Sequence, residues 1–273
     1  MAYTGAVDSR PAPALREIPF RGGGFVLAAK PYASLIAFVI VLAVWEGVVR
    51  AGWISPLFLP APSAIAAALI HLARTGLLWK HVSISLQRLA IGWTIGTVAG
   101  VAVGLSMGLW SLTRSVGLAF VSALFPIPKI ALLPLLILWL GIGETSKDVT
   151  IALGVFFPTA ITVYSGVDSA PRNLIRMAQS FGVPYHDIVR KVIVPGALPY
   201  VIAGFRITTS TALILLVSAE MIGAQYGVGA FILQTGNMML TDQLLAGVTL
   251  LSVLGMMISW VLGRIERRLF RWR

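Results

Sequence analysis

The chain has 273 residues, 58% hydrophobic and only 11% charged, where soluble domains average roughly 25% charged. That balance excludes a soluble globular protein and indicates an integral membrane protein whose spans each need about 20 mostly apolar residues. The net charge of +11 reads as basic loops held on the cytoplasmic side, not as a nucleic-acid surface, and the absence of cysteine removes disulfides, thiol nucleophiles and cysteine metal sites.

Residues 1–32 form a tail rich in Pro, Gly and Arg, without the h-region and small-residue cleavage site of a signal peptide. Six apolar runs follow, at residues 33–49, 85–109, 116–140, 149–164, 198–221 and 244–262. All are helix candidates, because open strands cannot cross a bilayer. With six spans, one side receives Arg10, Arg16, Arg21 and Lys30, then Arg114, then Arg172, Arg176, Arg190 and Lys191, and finally Arg264, Arg267, Arg268, Arg271 and Arg273. The other side receives Arg50, Arg74, Lys80 and Lys147. A bias of roughly three to one places both termini in the cytoplasm.

The first run ends in WEGVVR, where Glu46 and Arg50 stand four apart and form an expected local pair. In LPAPSAIAAALIHLARTG, Pro62 suits the first turn of a short helix and Gly76 its end. Ile65, Leu69 and Leu72 share a face, fitting either an outer-surface helix or a buried packing helix. The second run carries Gly92, Gly96, Gly100, Gly104 and Gly108 at strict intervals of four. In lipid, small residues at that spacing let helix backbones approach closely. The expectation is packing, within the subunit or against a partner, with the lining of a substrate path as the alternative.

The third run contains FPIPKIALLPLLILWLG, in which Pro126, Pro128 and Pro134 each remove a backbone donor, so this span should bend or break. Lys129 sits near its middle. An intramembrane charge is by default a functional-site candidate, and on a transport path Lys129 would favour anions. The alternatives are a lysine that snorkels, pairs with a carboxylate, or lies near the cytoplasmic surface. GIGETSK lacks the glycine directly before lysine that a phosphate loop requires. Glu220, at the end of the fifth run, is either an interfacial carboxylate that caps or pairs, or part of an outer gate or proton-linked group. Arg206 should reach back toward cytoplasmic headgroups. His71, His81 and His186 form no metal-spaced cluster, and nothing implies a catalytic site, a metal or a cofactor.

Between the fourth and fifth runs, residues 168–199 have a regular local grammar. Asp168 or Ser169 can cap a helix with Pro171 just inside. Gly182 ends it, Pro184 opens a second helix, Pro195 stops that one and Pro199 starts the fifth span. Ile175, Phe181, Ile188 and Val189 would need a partner, either the chain's own bundle or a separate protein.

This segment resembles the cytoplasmic loop of inner-membrane subunits of binding-protein-dependent ABC importers, which reads E-A-A, three residues, Gly, nine residues, I-x-L-P. Here Arg176-Met177-Ala178 is followed by three residues, Gly182, nine residues and Val192-Ile193-Val194-Pro195. Arg176 and Met177 replace Glu and the first Ala. LFLPAPSAI, HVSISLQRLAIGW, PIPKIALLPLLILWLGIGETSK, LPYVIAGFRI and AEMIGAQYGVG are similar to permeases of the nitrate/sulfonate/taurine/bicarbonate group. The resemblance implies an all-α type I importer bundle of about six transmembrane helices in the bacterial inner membrane. It implies a permease core at 81–263, after the tail at 1–32 and a first span plus outer segment at 33–80, and before a basic cytoplasmic tail at 264–273. It also implies a second permease copy forming a homodimer, cytoplasmic ATP-binding subunits and a periplasmic solute-binding protein. The coupling loop would use Arg176, Met177, Ala178, Gly182, Val183, Pro184, Tyr185, Val192, Val194 and Pro195. Lys129 and Glu220 are candidates for the substrate path or gate. The solute would be a small anion, with ATP hydrolysis on the partner. A self-sufficient secondary transporter or channel is the alternative, and would be favoured by intramembrane carboxylates beyond Glu46 and Glu220.

Overall fold

The computed structural model describes residues 31–269. The tail residues Arg10, Arg16, Arg21, Lys30, Arg271 and Arg273 lie outside them. The elements are α1 (Pro31–Arg50), α2 (Pro62–Arg74), α3 (Leu77–Leu109), α4 (Ser111–Leu124), a 3-10 turn (Lys129–Leu132) leading into α5 (Leu133–Leu140), and α6 (Glu144–Asp168). They continue with α7 (Arg172–Ser180), α8 (Tyr185–Ile188), a π-helical turn (Val189–Ile193), α9 (Val194–Gly223), α10 (Val228–Asn237) and α11 (Thr241–Leu269). No strand occurs among the described residues. Residues 31–44, the start of α1, form one unit, an uninterrupted apolar helix; the described chain from Trp45 onward forms a second unit that holds the core.

In the second unit α6 is the axis. In its most apolar stretch 56% of the residues are buried, against 17% in α11, so α11 sits at the edge. α3 lies along one side of α6. Gly92 meets Ile151, Gly96 meets Ala152 and Val155, Gly100 meets Thr159, Gly104 meets Val163 and Gly108 meets Val167. Both partners advance four residues per step, so the two helices run parallel with their i, i+4 ridges in register. A Cβ on Gly104 would lie 2.6 Å from the Ala160 carbonyl oxygen and one on Gly100 2.7 Å from Thr159 Cβ. No side chain fits there. α9 lies along a neighbouring face of α6, also in contact with α3, and runs antiparallel to α6, with Gly154 against Leu215, Thr162 against Gly204 and Gly166 against Ala197.

The parallel pair determines the path of the third span. α3 finishes at Leu109, while α6 begins beside Arg88. The intervening chain must therefore travel back about 30 Å at 1.5 Å per helical residue. α4 and the segment from Lys129 to Leu140 make that crossing as one span bent by 84°. The bend falls at Phe125–Pro128. Pro128 has no N–H to give the Leu124 carbonyl four residues back. The Lys129 ammonium supplies donors instead, to the carbonyls of Leu124 (2.8 Å), Phe125 (3.1 Å) and Ile127 (2.7 Å).

Several local expectations are corrected. α3 begins eight residues before the apolar run, because Lys80 and His81 lie on its first turns without interrupting it. α6 runs through Asp168, so neither Asp168 nor Ser169 caps α7; Pro171 is its N-cap, and Asp168 instead pairs with Arg114 at 3.0 Å. Pro195 does not stop the helix that Pro184 opens. The chain continues from α8 into α9 through the π turn, where the Val194 N–H reaches back five residues to the Val189 carbonyl. The widened turn accommodates a proline whose ring would clash with the carbonyl four residues behind it. Arg206 does not reach for headgroups but pairs with Glu266 of α11 at 2.7 Å. α2 is a packing helix: Ile65 and Leu72 are buried with Phe231 and Ala246. The Glu46 carboxylate, besides pairing with Arg50, accepts from Ser63 N and Oγ at 3.0 and 2.7 Å and so caps α2 from another helix.

A methyl group on the α3–α6 seam should be felt directly. Gly104→Ala is expected to cost about 1–3 kcal/mol by overpacking, read as a lower thermal midpoint of the purified protein. Gly196→Ala, where nothing lies within 4 Å of the added Cβ, should leave the midpoint unchanged or raise it. Equal responses would contradict the close backbone contact.

Candidate functional site

The bundle has two chemically distinct ends. At the end where α3 and α6 begin, which also carries α2, Arg88 of α3 stands between two carboxylates from other helices. Its side chain is 5% exposed and that of Glu220 is 0% exposed. Arg88 donates from Nη1 to Glu220 Oε1 (2.8 Å) and to the Tyr226 carbonyl (2.7 Å), and from Nη2 to Glu144 Oε1 (2.9 Å), while its Nε–H also donates to Glu144. Glu220 Oε1 also accepts from Ser85 Oγ (2.7 Å), and Oε2 accepts from the Gly229 N–H (2.8 Å). Ser85 Oγ in turn accepts from the Val228 N–H (2.9 Å). The first N–H groups of α10, which have no partner inside their own helix, are therefore met by groups from α3 and α9. The negative carboxylate sits at the favourable pole of α10. Gly227 holds the turn at φ +136°, and its missing side chain leaves room for the Glu220 carboxylate. His81 Nδ1 lies 2.8 Å from the Gly227 carbonyl and 3.1 Å from its N–H.

Glu220 is thus a fully buried member of a clamp joining α3, α6, α9 and α10, not an interfacial group. Arg88, Glu144 and Ser85 were not singled out from the sequence. An available signal was the arginine inside the second apolar run, since an intramembrane charge marks a candidate site wherever it occurs. Lys129 lies elsewhere, bordering a cavity of about 330 Å³ lined by Gly154, Pro158, Ile207, Thr211 and Leu215. Its ammonium is directed at the three carbonyls of the break and lies 4.6 Å from the Phe157 ring centroid. Contact with a solute would require it to give up one of those bonds.

At the opposite end α7 and α8 form a helix–turn–helix. Gly182 adopts φ +69°. Its N–H bonds to the Gln179 carbonyl at 3.0 Å, and the Val183 N–H reaches Ala178 at 3.1 Å, the paired bonds of a Schellman motif. Ala178 and Val183 supply the accompanying apolar contact. With Ile175, Val189 and Val192 they pack on buried Val167, Ala170, Ile188, Ile193 and Ala197. Three of the four apolar residues expected to seek a partner, Ile175, Ile188 and Val189, therefore bury against the chain's own bundle. Phe181 does not: it is 80% exposed, beside exposed Met177 and Tyr185. Arg176 is exposed too. Pro184 is the N-cap of α8, and Val194 and Pro195 open α9. Asp187 and Lys191 close the face of α8 and the π turn with a 2.9 Å pair.

Breaking the buried clamp on one side should be costly. Arg88→Met leaves Glu220 charged and without its cation, and is expected to lower stability by about 3–5 kcal/mol. The double variant Arg88→Met/Glu220→Met should recover a large part of that loss. A double variant no more stable than Arg88→Met would show that the two side chains are not energetically coupled.

Residues 96–271 match the family described as the binding-protein-dependent transport system inner membrane component. The chain is 35% identical over 244 residues to the taurine transport system permease protein TauC of Escherichia coli (strain K12), covering 88% of this chain and 89% of that one. It is 32% identical over 240 residues to the putative aliphatic sulfonates transport permease protein SsuC of Bacillus subtilis (strain 168), covering 88% and 87%. Among solved structures it is similar to a chain of the MetNI methionine ABC transporter in an inward-facing conformation, with a TM-score of 0.63, 27% identity, and coverage of 70% of this chain and 95% of that one. With its multi-pass all-α bundle, the chain belongs to the family of inner-membrane permease components of binding-protein-dependent transport systems.

Proposed function

We propose that two copies of this permease form the membrane path of an ATP-driven importer for a small sulfonate, with the α7–α8 turn docked on a cytoplasmic ATP-binding subunit. The observation that carries the docking role is the division of apolar residues across that turn. Ile175, Ile188 and Val189 anchor it to the bundle, joined by the Tyr185 hydroxyl, which donates to the Leu109 carbonyl at 3.4 Å, while Phe181 and Met177 project from it. A segment held on one face and apolar on the other transmits force without folding into the bundle. The sulfonate assignment rests on relatives named for taurine and aliphatic sulfonates at 35% and 32% identity. The basic residues of the α7–α8 segment support a cytoplasmic location for this end, and a periplasmic binding protein would then deliver solute at the α2 end.

In this reading the glycine seam makes α3 and α6 one body. The Arg88–Glu220 clamp holds its outer end, and motion of the ATPase enters through Ala178, Val183 and Val192 at the inner end. Lys129 stabilises the break in the third span. Residues 81–263 are the moving permease core, preceded by the first span and α2.

Cells lacking their own sulfonate importer should gain taurine or alkylsulfonate uptake when this chain is expressed with its ATPase and binding protein. Omitting the ATPase should abolish it. Uptake that persists without the ATPase would establish a self-sufficient transporter. Phe181→Ala is expected to lower co-purification of the ATPase about tenfold, the scale of losing one buried aromatic anchor, with the amount of folded permease unchanged. Undiminished co-purification would remove Phe181 from the docking surface.

A further inference from the structure

We propose that the cavity beside Lys129 is a binding site for an alkylsulfonate, with the Lys129 ammonium as counter-charge to the sulfonate and an apolar wall receiving the alkyl chain. The proposal rests on the reading of the chain as an importer of small sulfonates and adds that the preferred solute carries a plain apolar tail.

The cavity holds about 330 Å³, at the lower end of small-molecule sites, about 300–1,000 Å³. It lies at mid-height in the bundle. Gly154 and Pro158 in its wall fall near the middle of α6, and Ile207 and Thr211 near the middle of α9. Among the described residues of the wall, Lys129 alone is charged. It has no counter-ion among the described residues. Glu46 pairs with Arg50, Glu144 and Glu220 with Arg88, Asp168 with Arg114, Asp187 with Lys191 and Glu266 with Arg206. Lys129 has only the neutral carbonyls of Leu124, Phe125 and Ile127, and those three bonds are exposed.

A charge at mid-membrane is costly unless it is paired or faces a water-filled cavity. The carbonyls orient the ammonium but leave its charge uncompensated. An N–H that leaves one of them for an anionic oxygen forms a bond charged on both sides, which is the stronger kind. The rim residues Ile207 and Ile214 are exposed in the single chain. A lysine opening there onto lipid would be unfavourable, so this mouth belongs on the path between two copies. A cation entering it meets Lys129 and no carboxylate, which excludes an ammonium solute and a metal ion alike. An anion supplies the missing charge. The rest of the wall selects the tail: Phe125, Ile127, Pro158, Ile207 and Ile214 present hydrocarbon, and the Thr211 hydroxyl donates to the Ile207 carbonyl at 3.2 Å. An alkyl chain gains by leaving water against such a surface. The ammonium of taurine would lose its hydration there beside a like charge; ethanesulfonate is the same skeleton without it.

The test uses the complex of the permease with its ATPase in nanodiscs of zwitterionic lipid, without the binding protein, which would take up the probes itself. Ligand-observed saturation-transfer NMR is run on butanesulfonate, ethanesulfonate, taurine and butylammonium. Both alkylsulfonates should bind, taurine at least about tenfold more weakly than ethanesulfonate, equivalent to about 1.4 kcal/mol, and butylammonium not detectably. Lys129→Gln, whose amide offers donors to the carbonyls but carries no charge, should weaken butanesulfonate by the same factor, and Lys129→Arg should retain it. Thr211→Asp, which puts a carboxylate into the wall and leaves Lys129 in place, should abolish binding, and Thr211→Val should not. The proposal falls if butanesulfonate does not bind the unaltered complex, binds Lys129→Gln or Thr211→Asp equally well, or is matched by butylammonium. Taurine binding as tight as that of ethanesulfonate would overturn the preference for an apolar tail. Alkylsulfonate uptake by the complete importer without Lys129-dependent binding would sink this site and leave the import reading standing. Lys129-dependent binding without uptake would do the reverse.

Discussion

Between Gly92 and Gly108 the backbones of α3 and α6 touch, and the placement of the other elements follows from that contact. Water cannot drive helices together inside a bilayer, because lipid tails are as apolar as leucine. What remains is close packing, and a glycine every four residues supplies a groove into which the β-branched ridge of Ile151, Val155, Thr159, Val163 and Val167 fits. The seam runs for nearly five turns. It requires parallel helices, and parallel helices require that the chain between them cross back. The broken third span is therefore a topological consequence of the seam. Its prolines decide only where the bend falls.

The same contact gives the two ends of the bundle their relation to each other. Arg88 and Glu144, at one end, lie on the two seam helices; Val167 and Asp168 end α6 at the other, where the α7–α8 turn packs. Glu220 closes the clamp from α9, which also leads directly out of that turn through the π segment. The α7–α8 turn and the clamp are thus joined by α6 and α9, each uninterrupted by a loop. Pro158 and Pro199 lie inside those helices but leave them continuous.

How much of this was legible in the sequence depended on the range of the interaction. The glycine stripe, the proline break, the turn at Gly182 and the helix at 62–74 are local, and each could be read because its cause lies within a few residues of its effect. The partner of the stripe could not be read, since nothing near Gly92 names Ile151. Arg88 and Glu220 are separated by 132 positions and Arg88 and Glu144 by 56, so their meeting is a property of the packed bundle. Pro195 misled for a different reason. Its cost depends on whether the carbonyl four residues back can move aside, and a π turn provides that freedom without a sequence signature. Likewise, apolar residues at 175, 188 and 189 signal that something covers them, but the pattern alone does not say whether that is the bundle or another protein.

The clamp raises a question that stability alone does not answer. Desolvating an arginine and a glutamate costs several kcal/mol each, and a well-packed apolar replacement is often as stable or more so. What the charged group adds here is direction. An apolar cluster would bury the same surface but leave the Val228 and Gly229 N–H groups and the Tyr226 carbonyl without their present partners. Arg88 and Glu220 satisfy these groups together, with Ser85 as intermediary, and that fixes the turn at Gly227 and the entry of α10. The turn carries Tyr226 and Gln225 into the wall of a cavity that Asp148 also lines. The clamp's strict geometry thus shapes a polar recess beside it, a role that a greasy contact of equal stability, free to slide, would not fill.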